Sequence, residues 1–188
     1  MLIFFDMEFT GLHRNTTPIS LGMVTEKGDT FYAEFTDYDI GQCDDWIREN
    51  ILEKLLFNKK DYLCKLGKNT MMKSDYTDIS SMLNAWLEHV RNEEEVQFVS
   101  DVCHYDMMLL ADLITNGGTA FNLPAFISPV CHDINHDIAE CYEISDKEAF
   151  NKSREEILTD FKRTVDGTKH NSLYDARVIK AIYEEIVK

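Results

Sequence analysis

Residues 2–11 of the chain read Leu2-Ile3-Phe4-Phe5-Asp6-Met7-Glu8-Phe9-Thr10-Gly11. The large apolar residues at the start of this stretch predict a buried β-strand over residues 2–8. Asp6 and Glu8 stand two positions apart at the C-terminal end of that strand, and successive strand side chains alternate between its faces. Both carboxylates are therefore expected on one side of the strand, where their oxygens can share a divalent cation.

Apolar runs bounded by turn residues predict four more strands, over residues 18–26, 30–35, 96–100 and 125–130. Apolar residues at helical spacing predict helices over residues 44–57, 74–90 and 105–114, from near Asp133, and over 172–187. The connection through the 140s is acidic and poorly periodic. The expected fold is α/β, with helices flanking a mixed five-stranded sheet of three antiparallel strands followed by two parallel ones.

Composition favours one globular domain over residues 1–188, because 44% of the residues are hydrophobic and 28% are charged. The five cysteines are scattered and form no C-x-x-C pair, which favours a reducing compartment and argues against a zinc knuckle. An acid follows the first five residues and no basic segment precedes them, so neither a signal peptide nor a membrane anchor is expected. These features predict a cytoplasmic protein.

The net charge of −15 is unusual for a protein that binds nucleic acid, since phosphate backbones repel acidic surfaces. The stretch from Lys59 to Lys73 is an exception, because it holds five lysines against the single acid Asp61. With Tyr62 inside it, this stretch can meet a phosphate backbone. A solvated loop is at least as good an interpretation.

A second group of chemically capable residues lies near the C-terminus, in His170-Asn171-Ser172-Leu173-Tyr174-Asp175. Asn171 or Ser172 can cap the last helix, which leaves His170 on the preceding loop and Asp175 in the first turns. His170 could then accept a proton from water while Asp175 holds a metal ion. A D-x-E pair or a histidine before a helix means little alone, so the prediction depends on their occurring together.

The segment from Asp6 to Leu12 resembles the first motif, D-x-E-x-T-G, of the DEDD exonuclease superfamily, which includes proofreading exonucleases and oligoribonucleases. His170 and Asp175 match the third motif in its histidine form, H-x-x-x-x-D. The tyrosine form would need tyrosine four residues before the aspartate, where Asn171 stands. Residues 19–24 also look like the second strand of small bacterial and phage 3′-5′ exoribonucleases, so the chain is similar to the DEDDh group.

The resemblance also requires an aspartate that opens a helix after a buried strand. Residues 102–110 are similar to this second motif, with Asp106 as the metal ligand. Asp101, nearer the strand end, is the competing candidate. Asp106 fits better because an aromatic residue precedes it and an apolar run follows it.

Similarity to this group implies an RNase H-like fold, two Mg²⁺ or Mn²⁺ ions, and release of nucleoside 5′-monophosphates from the 3′ end of single-stranded RNA. The expected metal ligands are Asp6, Glu8, Asp106 and Asp175, and His170 is the expected general base. Residues expected to flank the terminal nucleotide are Met7, Phe9 and Thr10, with His104 where many relatives have Asn or a small residue. Some relatives are homodimers, which gives a weaker expectation of a dimer.

Two other functions stay open from the sequence alone. The same chemistry could act on single-stranded DNA, because no motif reveals a contact to the 2′-hydroxyl. The fold could also serve as a nucleic-acid-binding module without catalysis, although every expected ligand type is present. RNA is preferred only by resemblance.

Overall fold

The computed structural model describes residues 1–57 and 67–187. Its six strands are β1 (Leu2–Phe9), β2 (Pro18–Thr25), β3 (Thr30–Phe35), β4 (Asn69–Ser74), β5 (Gln97–Ser100) and β6 (His132–Asp133). They form one mixed sheet in the order β4-β3-β2-β1-β5-β6. Strands β1 to β3 are an antiparallel meander, whereas β4 pairs parallel with β3, β5 with β1 and β6 with β5.

The helices are α1 (Asp45–Asn50), α2 (Tyr76–Arg91), α3 (Cys103–Thr115), α4 (Ile134–Tyr142), α5 (Asp146–Asn151), α6 (Arg154–Asp160) and α7 (Ser172–Ile186). Short 3₁₀ turns occur at Ile40–Gln42, Leu52–Lys54 and Ala120–Asn122. Within the described ranges, no helix is both long enough and apolar enough to cross a bilayer.

The two faces of the sheet bury separate cores, and β1 contributes to both because its side chains alternate. Ile3, Phe5 and Met7 pack in the core that contains α2 and α3. Phe4 packs on the other face, in the core that contains α4, α6 and α7. Asp6 and Glu8 have the same parity as Phe4, so β1 directs them toward the α7 face.

The α/β, mixed-sheet prediction is confirmed, but the number and position of the strands need correction. The prediction of five strands missed β4, because residues 69–73 fall in the lysine-rich stretch from Lys59 to Lys73, although Thr70 and Met72 alternate into the interior. The strand predicted over 125–130 is wrong: in that range one isolated bridge joins Ile127 to Val96. The last pairing forms later, in β6, beyond Pro129, which lacks the N–H that a ladder requires.

The helices show two further differences from the prediction. The helix expected over 44–57 ends at Asn50 and continues as the 3₁₀ turn. The supposedly irregular 140s and 150s contain α5 and α6, each begun by a serine side chain that caps the helix. These helices have six and seven residues, too few for a clear apolar period. The predicted basic stretch lies partly outside the described residues, which resume at Gly67.

Candidate active site

A cavity of about 630 Å³ lies beside the carboxyl ends of β1 and β5. Because β1 and β5 are parallel, their carboxyl ends lie at the same edge of the sheet, which is where α/β sheets commonly bind ligands. The cavity is lined by all five residues predicted to bind metal or move protons: Asp6, Glu8, Asp106, His170 and Asp175. Residues from distant parts of the chain therefore meet in one place.

Strand β1 brings Asp6 and Glu8 to this cavity, as the D-x-E spacing predicts. Asp6 pairs with Gly22 of β2 and Glu8 pairs with Ser20, and the ladder becomes irregular directly after Glu8. The Oδ2 atom of Asp6 is buried and has no hydrogen-bond partner among the described residues. A buried carboxylate oxygen without a partner is costly unless a proton or a cation satisfies it.

Helix α7 brings Asp175 to the cavity, and its start is built by Asn171. The Asn171 side chain accepts a hydrogen bond from the Tyr174 backbone N–H at 3.3 Å, which makes it the cap of α7. Asp175 follows in the first turn of α7. His170 precedes the cap and has a left-handed backbone conformation, with φ of 64°, which is uncommon for a residue with a Cβ.

His170 lies close to two of the carboxylates. One ligand atom each from Glu8, His170 and Asp175 can be chosen so that all lie within 4.8 Å of one another, a spacing that could hold a metal ion. The indole of Trp46, half-exposed on α1, meets the imidazole edge-on at 5.2 Å between ring centroids. The ring of His170 is therefore confined between Trp46 and the acidic cluster.

Asp106 and Asp101 both line the cavity, but their surroundings differ. Asp106 is 1% exposed and accepts a hydrogen bond from the Ser100 hydroxyl at 3.1 Å. Asp101 instead accepts a hydrogen bond at 2.8 Å from Arg154, with which it forms an ion pair. Arg154 also donates to the Asn135 side chain at 2.7 Å. Asp101 thus already has a cation, whereas Asp106 has a neutral partner.

Burial and mutual repulsion make the carboxylates unusually weak acids. Burial raises the pKa of Asp6 well above its usual value, and Glu8 and Asp106 raise it further. Burial also raises the pKa of Glu8 and of Asp106, and raises that of Asp175 to about 7. Acids held this close in a low dielectric resist ionisation unless a cation offsets their charge.

The imidazole of His170 has the opposite shift. Burial lowers its pKa below the ordinary histidine value, and the nearby ammonium group of Lys169 lowers it further. The neutral form, which can accept a proton, is therefore favoured near pH 7.

The residues predicted to contact the nucleotide divide into two groups. Phe9 and His104 line the cavity, and Phe9 stacks on Tyr105 at 4.9 Å between ring centroids. Met7 also borders the cavity, but its side chain is buried in the opposite core. Thr10 is fully buried and does not line the cavity. Its hydroxyl donates to the Gln42 side chain and accepts from the Thr17 backbone N–H.

Several lining residues were missed by the sequence interpretation. Leu12 is 78% exposed at the cavity and belongs to the first motif, so that motif could have drawn attention to it. Three cations, Lys152, Arg154 and Lys169, also line the cavity. Lys169 adjoins His170 in sequence, but nothing in the sequence around Lys152 and Arg154 indicates that the α5–α6 connection lies beside the acids.

Comparison with known proteins gives consistent results. Two curated relatives from strains of Mycobacterium tuberculosis, the 3′-5′ exoribonucleases Rv2179c and MT2234.1, are each 31% identical to the chain over 93 residues. These alignments cover 46% of this chain and 54% of each relative, so the chain spans about half the length of the curated relatives it matches.

Two solved structures support the fold at low sequence identity. The Mg²⁺- and Mn²⁺-bound form of S. pombe Pop2p has a TM-score of 0.67 and 18% identity, over 98% of this chain and 82% of that one. The nuclease domain of 3′hExo, a DEDDh family member bound to rAMP, has a TM-score of 0.64 and 13% identity, over 99% and 90%. The predicted RNase H-like fold is confirmed by these neighbours.

The decisive comparison is with a family model, which matches residues 1–187 and is described as the 3′-5′ exoribonuclease Rv2179c-like domain. This match confirms the resemblance that the motifs indicated. The chain belongs to the Rv2179c-like 3′-5′ exoribonuclease domain family.

Proposed function

We propose that the chain is a metal-dependent 3′-5′ exoribonuclease that releases nucleoside 5′-monophosphates from single-stranded RNA. One observation carries the proposal: four carboxylates from β1, α3 and α7 share a cavity with an imidazole. The match to a 3′-5′ exoribonuclease domain family supports the proposed direction of degradation and the proposed preference for RNA. Residues 1–188 are proposed to act as a single catalytic domain.

The donor set fits a pair of Mg²⁺ or Mn²⁺ ions. Hard divalent cations prefer carboxylate oxygens, and Asp6, Glu8, Asp106 and Asp175 supply them in one cavity. The partnerless Oδ2 atom of Asp6 supports this assignment, since a cation would satisfy it. Bound as a pair, such ions would stabilise the charge on the attacking and leaving oxygens of a phosphoryl displacement.

His170 is proposed to accept the proton of the attacking water at an imidazole nitrogen. Its lowered pKa keeps that nitrogen unprotonated near pH 7, and its position beside Glu8 and Asp175 puts it next to the proposed metal site. Trp46 limits the motion of the ring from the other side. His170 would thus act from the residue before the α7 cap, and Asp175 from the first turn after it.

The rest of the cavity has the chemistry to hold a nucleotide. Phe9, Leu12 and His104 offer faces on which a base or sugar can pack. Lys152 and Lys169 bring positive charge to the cavity of a chain whose net charge is −15, and so they can offset the phosphate, whereas Arg154 is already paired with Asp101. Met7 and Thr10 would contribute mainly by holding β1 and the turn after it.

The proposal is tested with matched single-stranded RNA and DNA oligonucleotides labelled at the 3′ end, incubated with purified protein and increasing Mn²⁺. Release of labelled nucleoside monophosphate from RNA, dependent on Mn²⁺ and absent in Asp175→Asn, is the expected result. Faster release from DNA would make the protein a deoxyribonuclease. Binding without release by the wild-type protein would make it a non-catalytic module. Light scattering of the purified protein tests the weaker expectation of a homodimer.

A further inference from the structure

A buried acid lies on β3, outside the residues that line the cavity. Glu34 is 0% exposed, and its Oε1 atom accepts hydrogen bonds from the Tyr32 hydroxyl at 2.9 Å and the Phe57 backbone N–H at 2.8 Å. Its Oε2 atom forms an ion pair with Lys73 at 3.3 Å. A carboxylate buried this completely needs such partners, and Glu34 uses them to fix the Tyr32 hydroxyl in one orientation.

Tyr32 connects this acid to the start of α7. Its hydroxyl donates to Glu34, and so it presents a lone pair to the Nδ2 atom of Asn171, which donates at 3.3 Å. The same Nδ2 atom donates to the Lys54 carbonyl at 3.1 Å. Asn171 is 6% exposed, so these bonds are made away from bulk water.

Both ends of the Asn171 side chain are therefore engaged. The Oδ1 atom caps α7, and the Nδ2 atom is held by Tyr32 and Lys54. Capping needs only the oxygen, so it does not account for the buried amide contacts. The two sets of bonds fix the side chain and with it the backbone at the junction between the loop and α7.

His170 is the residue directly before this junction, in the left-handed conformation that residues with a Cβ rarely adopt. Such a conformation persists where surrounding contacts hold it. We propose that Tyr32 and Glu34 are positioning residues, which act through Asn171 to hold His170 in its place beside Glu8 and Asp175. The consequence for turnover rests on the proposed nuclease function, whereas the consequence for the His170 ring does not.

The test compares Tyr32→Phe with Tyr76→Phe. Both changes remove a tyrosine hydroxyl that donates to a carboxylate, since Tyr76 donates to Asp112 at 2.5 Å, but Tyr76 and Asp112 do not line the cavity. Asn171→Ser is the second variant, because serine can still cap α7 but has no amide to donate to Tyr32. The histidine ring Cε1–H signals are recorded by NMR well below the unfolding temperature, and the His170 signal is assigned with His170→Gln.

The expected result is a displaced His170 signal in Tyr32→Phe and Asn171→Ser and an unmoved one in Tyr76→Phe. On single-stranded RNA, kcat falls about tenfold in the first two variants while KM changes by less than about threefold, since small misplacements of a catalytic group act on the chemical step. Loss of stability alone would not move one histidine signal selectively.

The inference is overturned if the His170 signal is unmoved in Tyr32→Phe and Asn171→Ser, or if Tyr76→Phe displaces it equally. A wild-type kcat in both variants of an active enzyme overturns it as well. A wild-type protein with no nuclease activity overturns the proposed function instead, and the His170 signal then decides the positioning role by itself.

Discussion

Gly22 on β2 lies directly against Leu173 at the start of α7: a Cβ on Gly22 would sit 2.2 Å from the Leu173 backbone nitrogen. Beside this contact, the hydroxyls of Ser20 and Ser172 are hydrogen-bonded at 3.0 Å in the interior. The first turn of α7 therefore rests on the backbone of β2. Because Gly22 also pairs with Asp6, this close approach sets how near Asp175 comes to Asp6.

Gly22→Ala is expected to destabilise the fold by about 3 kcal/mol, because backbone atoms cannot move aside as a flexible side chain can. The displacement of α7 should also weaken Mn²⁺ binding. Urea unfolding and calorimetric Mn²⁺ titration measure the two effects. Gly67→Ala is the matched control, since a Cβ there meets nothing within 4 Å among the residues that the structure describes. Equal urea midpoints for the two variants would contradict the close packing.

The parts of the site that lie within one local pattern could be predicted from the sequence. A strand period of two places Asp6 and Glu8 on one face, and a helix cap places Asp175 in the first turn of α7. The apolar stripe of α7 is long enough to make its helical period clear. These features need no knowledge of what the elements pack against.

The parts that depend on contacts between distant segments could not be predicted. Nothing around Gly22 shows that a helix 150 residues later lies on it, and nothing around Arg154 shows that it pairs with Asp101. Strand β4 was missed for another reason: residues 69–73 lie in the lysine-rich stretch from Lys59 to Lys73, which indicates a basic loop, although the Thr70 and Met72 side chains alternate into the interior. Long-range packing decides the contacts of Gly22 and Arg154, and local spacing carries no trace of them.

The assignment of Asp106 rather than Asp101 as the metal ligand predicts that Asn substitutions at the two positions change the stability of the metal-free protein in opposite directions. Asp106→Asn should lower kcat about 100-fold or more, because it removes a proposed metal ligand. It should also stabilise the metal-free protein at pH 7, since burial raises the pKa of Asp106 and its charged form is unfavourable there.

Asp101→Asn should behave in the other way. It leaves Arg154 without its carboxylate partner and should reduce the free energy of unfolding by about 2 kcal/mol. Turnover should fall far less than in Asp106→Asn. Thermal unfolding in EDTA and steady-state kinetics with Mn²⁺ measure both variants. If Asp101→Asn abolished turnover and Asp106→Asn did not, the ligand assignment would be reversed.

The metal-free protein should lose stability as pH rises. The pKa of Asp175 is about 7 in the fold, against 3.8 for an ordinary aspartate, so between these values the folded state binds more protons than the unfolded state. This contribution is fully present below the unfolded pKa and is lost as pH rises through the folded one. Asp6, Glu8 and Asp106 shift in the same direction.

Comparison with Asp175→Asn isolates one group from the rest of the pH response. In EDTA, the Tm of this variant should gain on that of the wild type by about 5 °C between pH 4.5 and pH 7.5. Mn²⁺ should raise the wild-type Tm most near pH 7.5, and the rise should be smaller for Asp175→Asn. If the Tm difference between Asp175→Asn and the wild type stayed constant with pH, burial would not raise the pKa of the Asp175 carboxyl.

His170 lies beside Glu8 and Asp175, where it could act either as a proton acceptor or as a metal ligand. His170→Ala distinguishes these two roles. A proton acceptor contributes about 10² to 10⁴-fold to the rate, so its loss should lower kcat by that factor and leave the Mn²⁺-induced rise in Tm intact. His136→Ala, at an exposed histidine paired with Asp146, is the control for the loss of an imidazole elsewhere. If His170 held the metal instead, Mn²⁺ affinity would fall together with kcat, and raising the Mn²⁺ concentration would restore part of the activity. Recovery at high Mn²⁺ would therefore assign His170 to the metal, whereas a kcat that stays low at saturation assigns it to the proton.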